Sequence, residues 1–235
     1  MNKQMVDNYY TSRKSKLLKD FDKYTRKYSR KVLVSYYGDD LTNTIAKETR
    51  QEYEALIPHL PYIGGKKNTL TTNLIQCAWG LALYRVLKTH GKTAEEAAKS
   101  IYEMTETQLR SYPRFLLRLM GRWMFAQFRL RKRAAQSQKR QYPEDWVWTF
   151  IKGDGKEFDF GMDFTECAIC KFFHAQGADE FTPFLCSLDF PISKAFGTGL
   201  VRTMTLAEGA EKCDFRYKRG REVKQGWPSK VSQTG

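Results

Sequence analysis

The sequence has no apolar run approaching the ~18 residues that a membrane-spanning helix requires. Histidine is scarce, three in 235 residues, which argues against a histidine-rich metal centre. Cysteine comes to five, an odd number, and no segment repeats or is of low complexity. The opening MNKQMVDNYYTSRKSK lacks the apolar stretch of a signal peptide, so the expected location is cytoplasmic, where cysteines stay as thiols. Negative charge is missing over a long stretch: residues 110–140 hold ten Lys or Arg and no acid, within a chain of net charge +14.

What is present suffices for a core. Apolar residues make up 41% and aromatics 14%, which excludes wholesale disorder. The first 140 residues read as helices. Residues 2–36 carry Tyr, Leu and Val at three-to-four spacing, Gly38-Asp39-Asp40 interrupts the pattern, and 41–57 resume it until Pro58 and Pro61. TLTTNLIQCAWGLALYRVLKT (69–89) is apolar nearly all round and predicts a central, buried helix. Thr93 and Glu96 form a capping box for the next helix. Pro113 ends or kinks that helix, and FLLRLMGRWMFAQFRL continues as one amphipathic helix.

The character changes at Pro143. WVWTFIKGD and EFDFGMDFT read as strands, with Phe158, Phe160, Met162 and Phe164 alternating on one face. Two short helices are expected at 166–176 and 179–188. GLVRTMTLA and CDFRYKR then read as a strand pair joined by EGAEK. The fold class is α+β: an N-terminal helical half (1–141) packed on a C-terminal antiparallel sheet with short inserted helices (142–220), followed by a flexible basic tail (221–235).

Chemistry is concentrated in the thiols, four of which lie between residues 167 and 213. Cys77 stands apart in the apolar helix as a small buried hydrophobe. TECAICKFFHAQG (165–177) raises three readings. Zinc would take Cys167, Cys170, Cys186 and Cys213, but the last two are isolated rather than a second close pair. A redox CxxC would set Cys167 at a helix N-terminus, but the βαβ context is missing. A hydrolytic pocket would add FLCSLDFP, with Cys186 and Asp189, and LVRTMTLAEGAEKCDFRY, with Arg202, Thr203, Cys213 and Asp214 on adjacent strands.

On that pattern Arg202 shares a face with Leu200, Met204 and Leu206. A lone arginine there needs an anion: a substrate carboxylate, Asp189 or Asp214. Strand alternation turns Asp214 away from Cys213. Glu166 suits a helix N-terminus as a dipole partner. His174, one turn beyond Cys170, offers either a Cys–His pair or a surface residue, and His59 and His90 look like helix-end caps.

TECAICKFF, LCSLD and RTMTLAEGAEKCDFRY, in that order, resemble the C-terminal signature of the L-2-amino-thiazoline-4-carboxylic acid hydrolase family. Gly209, Cys213, Asp214, Phe215, Arg216 and Tyr217 form its most specific stretch, and the resemblance covers the last third of the chain. It implies hydrolytic opening of a small cyclic isothiourea carboxylate to an N-carbamoyl-cysteine. In that chemistry Cys186 is nucleophile or acid/base, Asp189 its partner or the general base, and Cys213 a second pocket thiol. Arg202 clamps the substrate carboxylate with Thr203 in support, and Cys167 lines the substrate side. No cofactor is implied. A fainter likeness to 4-vinyl-reductase-like domains keeps open a non-catalytic ligand- or zinc-binding module.

Arg110, Arg114, Arg118 and Arg122 recur every four residues as one stripe, with RLRKR beyond it at 129–133. The ordinary reading is a solvated face; the alternatives are an anion-binding edge, or ion pairs to acids at 39–54 or 95–106 in neighbouring helices. No helix-turn-helix spacing, RNP-like strand or finger pairing accompanies it, so nucleic acid is not an expected partner. Trp123, Phe125 and Phe128 are assigned to the core. The expected partner is a small carboxylate substrate, with no membrane, and the N-terminal helices offer a surface for a homo-oligomer.

Overall fold

The computed structural model describes residues 9–227; the start of the expected first helix and the basic tail from residue 228 lie outside the described residues. The chain divides into two compact units, one running to Met104 together with Phe172–Phe181, the other Thr105–Lys171 with the chain from Thr182 onward.

The first unit is helical: α1 (Lys14–Tyr24), a π-type turn (Thr25–Ser29), α2 (Arg30–Leu56), α3 (Thr71–Thr89) and the greater part of α4 (Ala94–Arg110). Gly38 interrupts α2 as expected, with φ 74° and ψ 173°, a geometry open to a residue without Cβ. Pro58 sits in a 3₁₀ turn just after α2 ends. The all-round apolar pattern of 69–89 gives a buried helix, with Leu74, Ala78, Leu81 and Leu87 wholly inaccessible. Tyr53 of α2 stacks on Phe21 at 5.1 Å and meets Trp79 edge-on at 6.1 Å. The capping box is formed: Glu96 N–H donates to Thr93 Oγ1 at 3.2 Å, and Thr93 N–H to Glu96 Oε2 at 2.8 Å. Phe181 stacks on Tyr84 at 4.4 Å, and Arg85 pairs with Glu52 at 2.7 Å.

The second unit holds α5 (Arg114–Met124), α6 (Gln127–Ser137), β1 (Val147–Lys152), β2 (Phe160–Glu166), the first turn of α7 (Ala168–Ala175), α8 (Thr182–Cys186), α9 (Asp189–Phe196), β3 (Leu200–Val201) and β4 (Cys213–Tyr217). The four strands form one antiparallel sheet in the order β1-β2-β4-β3. This is the α+β class that the sequence pattern indicates.

Register places Phe160 opposite Tyr217 and Phe164 opposite Cys213, so one sheet face is aromatic. Tyr217 stacks on Phe160 at 5.0 Å, and Phe164 lies on Trp148 at 5.3 Å. The other face carries Asp163, ion-paired to Arg216 at 2.6 Å and Lys212 at 2.8 Å. Loss of hydration opposes those two cations at Asp163, and they hold its carboxyl below the ordinary range.

Two local expectations change. FLLRLMGRWMFAQFRL is two helices, because the backbone turns extended at Ala126. The strand expected over GLVRTMTLA stops at Val201. Beyond it, the N–H groups of Thr203 and Met204 donate to the Asp214 carboxylate, at 2.8 and 2.7 Å. A side-chain acceptor takes the place of the ladder and bends the chain off the sheet edge. No helix among the described residues is long and apolar enough to cross a membrane.

Candidate active site

Antiparallel register assembles the site. Glu166, the last residue of β2, pairs with Val147, and Phe164 pairs with Cys213. Cys167 comes directly after β2, which brings it beside Cys213 at the start of β4 and beside Trp146, the residue before β1. It then leads into α7, where the first N–H groups have no intrahelical partner and point back along the axis.

The Cys167 sulfur collects these donors. Its largest stabilisation is a hydrogen bond from the Cys170 thiol; the backbone N–H groups of Cys170 and Ile169 and the Trp146 side chain add to it. Against the opposing effect of burial, they bring its thiol from 9.0 down to about 7. The other three move the opposite way. Cys170 is raised, first because it donates to Cys167 and then by burial. Burial raises Cys186 well above the ordinary thiol value, with Arg202 only partly opposing. Burial also raises Cys213 to about 11, although Leu206 N–H donates to its sulfur at 3.2 Å. One thiol of the four is therefore lowered and the other three are raised.

Arg202 lies beyond the end of β3 and is only 6% exposed. Its guanidinium donates to Asp189 Oδ2 at 2.5 Å and to the Cys186 carbonyl at 3.0 Å, between the rings of Phe190 and Phe215 at 5.2 and 5.0 Å. Its backbone is clasped by Gln225, which accepts from Arg202 N–H at 3.1 Å and donates to its carbonyl at 2.8 Å. Of the anions open to it, Asp189 is the one in place. Loss of hydration raises the Asp189 carboxyl, with Arg202 opposing. Burial alone would lower the guanidinium; Asp189, Cys186 and Cys213 outweigh it and leave it raised.

Asp214 and Thr203 form a separate pair. Thr203 Oγ1 donates to Asp214 Oδ2 at 2.6 Å, on the side of β4 away from Cys213. Cys167, Cys170, Cys186, Cys213, Asp189 and Arg202 thus interact as one electrostatic cluster, while Thr203 turns outward to Asp214. Among the described residues no three His, Cys, Asp or Glu side chains are arranged to hold a metal ion.

Ser187, between Cys186 and Asp189, is 1% exposed, and its hydroxyl has no hydrogen-bond partner among the described residues. A buried orphan hydroxyl costs stability instead of adding to it, so Ser187→Ala should leave stability within ~0.5 kcal/mol or raise it. Ser193 is the contrast, since its Oγ meets Thr198 Oγ1 at 2.7 Å and accepts from Leu200 N–H at 2.9 Å. Ser193→Ala should cost about 1–3 kcal/mol in urea denaturation by stranding a buried N–H.

Other candidate residues have structural partners. Glu166 is held by Arg140 and Lys171. His174 is exposed and bonds Asp179 at 2.9 Å, so it makes no Cys–His pair, and His90 bonds Glu48 at 2.7 Å. Sequence spacing missed Trp146 and the helix-start donors of Ile169 and Cys170. The only signal for Trp146 was its place just before a strand, and its nearness to Cys167 results from sheet register.

These features define an α+β protein with a thiol-centred site next to a buried arginine paired with a partly exposed aspartate. The sequence profile described as L-2-amino-thiazoline-4-carboxylic acid hydrolase matches residues 72–217, and the chain belongs to that family. No curated protein and no solved structure matches the chain.

Proposed function

We propose that the protein is a hydrolase that opens a 2-amino-thiazoline-4-carboxylate-like ring, with Cys167 as nucleophile. The observation that carries this reading is the position of Cys167 at the start of α7, where the Cys170 thiol, the N–H groups of Cys170 and Ile169 and the Trp146 side chain lower its thiol, beside three thiols that are raised. Membership of a family named for this hydrolysis supports the choice of substrate class.

The thiolate adds to the ring carbon between sulfur and nitrogen of the isothiouronium. The ring C–S bond then breaks, leaving an isothiourea on Cys167 and a free substrate thiolate. Water adds to the same carbon, the bond to Cys167 breaks, and an N-carbamoyl-cysteine leaves. One water is consumed: its oxygen goes to carbon, one proton to the departed sulfur, the other to solvent, with no change of oxidation state.

Asp189 takes the proton from the attacking water. Arg202, with its donors on Asp189 and the Cys186 carbonyl, positions that base, and its charge favours a carboxylate-bearing substrate. Cys186 and Cys213, held protonated, act as polar walls rather than nucleophiles. This moves the attacking role from Cys186 to Cys167.

The hydrogen bond from Cys170 to Cys167 also favours a second reading, a dithiol–disulfide couple. The two part on Cys170→Ser. A disulfide couple needs both sulfurs and would be dead; a hydrolase keeps a hydroxyl donor and should retain turnover within about tenfold. The test is thiol release from L-2-amino-thiazoline-4-carboxylate by the purified protein, with acid quench and mass analysis of the peptide bearing Cys167. No thiol release and no adduct would discard the hydrolase reading.

A further inference from the structure

Exposed apolar side chains gather in one place. Apart from Tyr36, every large apolar side chain that stands exposed among the described residues falls between Tyr112 and Phe128. Trp123 and Phe128, assigned to the core on sequence pattern, are 59% and 70% exposed, and Phe115 is 74% exposed.

The geometry of α5 explains the exposure of Phe115 and Trp123. Its inward edge is Leu117 and Gly121, and a Cβ on Gly121 would stand 2.8 Å from the Phe196 carbonyl oxygen of α9. With about 100° between successive residues, Phe115, Leu116, Leu119, Met120 and Trp123 fall on the far arc. Arg114, Arg118 and Arg122 line the border between the two. From the neighbouring α6, the Arg129 guanidinium covers Trp123 at 4.0 Å and Phe128 at 5.6 Å. Residues 107–143 contain no acid to neutralise this border.

We propose that this face of α5 and the start of α6 seats on an anionic lipid bilayer surface. The helix lies in the plane of the membrane, its aromatic and aliphatic arc in the boundary between headgroups and acyl chains, its arginines on lipid phosphates. An apolar arc bearing Trp, Phe and Leu and edged by Arg is what an interfacial helix requires. The helix lies on the bilayer and does not cross it, since eleven residues reach only about 16 Å. A second copy is the poorer occupant, because pairing would press two acid-free basic segments together. Nucleic acid would engage the arginines and leave the apolar arc in water.

The test is co-sedimentation of the full-length protein with vesicles of phosphatidylcholine alone and of phosphatidylcholine with about one-third phosphatidylserine. Binding to the anionic vesicles should be at least about tenfold tighter, and part of it should persist in about 0.5 M salt, where surface charge is screened. The substitutions Leu119→Gln, Trp123→Gln and Phe128→Gln together, all at exposed positions, should remove the salt-resistant part. Arg114→Gln with Arg122→Gln should remove the preference for anionic lipid.

Three results would overturn the proposal. One is no sedimentation with either vesicle. Another is a triple variant that binds like the parent at high salt, which would mean charge adhesion alone. The third is a dimer without lipid that the triple variant abolishes, which would assign the face to a second copy.

Discussion

Cys167→Ser is expected to lower kcat for ring opening about a thousandfold, equivalent to roughly 4 kcal/mol of barrier. The donors that bring the thiol to about 7 would act equally on a serine hydroxyl, but cannot bring an alcohol into the neutral range. Cys186→Ser should be much milder, since that thiol is raised by burial and stays protonated. Thiol release at saturating substrate checks both, and a Cys167→Ser enzyme with parental kcat would remove the assigned nucleophile.

A pH signature accompanies it. The folded thiol is lowered from 9.0 to about 7, so kcat/KM should rise through about pH 7 and level off above it. The same lowering links ionisation to folding: the contribution is complete above 9 and is lost as pH falls through about 7. The parent should therefore gain stability between pH 7 and 9 relative to Cys167→Ser.

Arg202→Met is expected to cost about 2–4 kcal/mol of stability, towards the lower end of what breaking a buried ion pair costs. The guanidinium is nearly inaccessible, whereas Asp189 keeps part of its edge in water and can rehydrate. The Cys186 carbonyl loses a donor as well. Asp189→Asn added to Arg202→Met should recover only part of the loss, the share that comes from the unpaired carboxylate, since the Cys186 carbonyl still lacks its donor, while turnover stays low for want of the base. Urea midpoints of the two variants decide it. A single variant as stable as the parent would mean that Arg202 does not hold the site together.

Much of the fold was legible because its signals are local. The Gly38 interruption, the Pro58 stop and the Thr93–Glu96 box each depend on residues within one helical turn. The alternation of EFDFGMDFT shows β2 for the same reason. Where the outcome depended on a distant partner, local pattern misled. GLVRTMTLA has strand composition over nine residues, yet Asp214, from the next strand, captures its N–H groups and cuts it to two. Trp123 looks like a core residue by type, and only the close approach of Gly121 to Phe196 turns its side of α5 outward.

The sequence by itself determined the α+β class, the family signature and the set of thiols, aspartates and arginine from which a site could be made, since these rest on residue type and short-range order. Tertiary structure alone decided which thiol is lowered and which are raised. Sheet register sets Trp146 beside Cys167 and α7 supplies its N–H groups, whereas Cys186 lies in surroundings that penalise charge. A thiol's acidity is set by the donors and the water around it, and those belong to segments far apart in the chain.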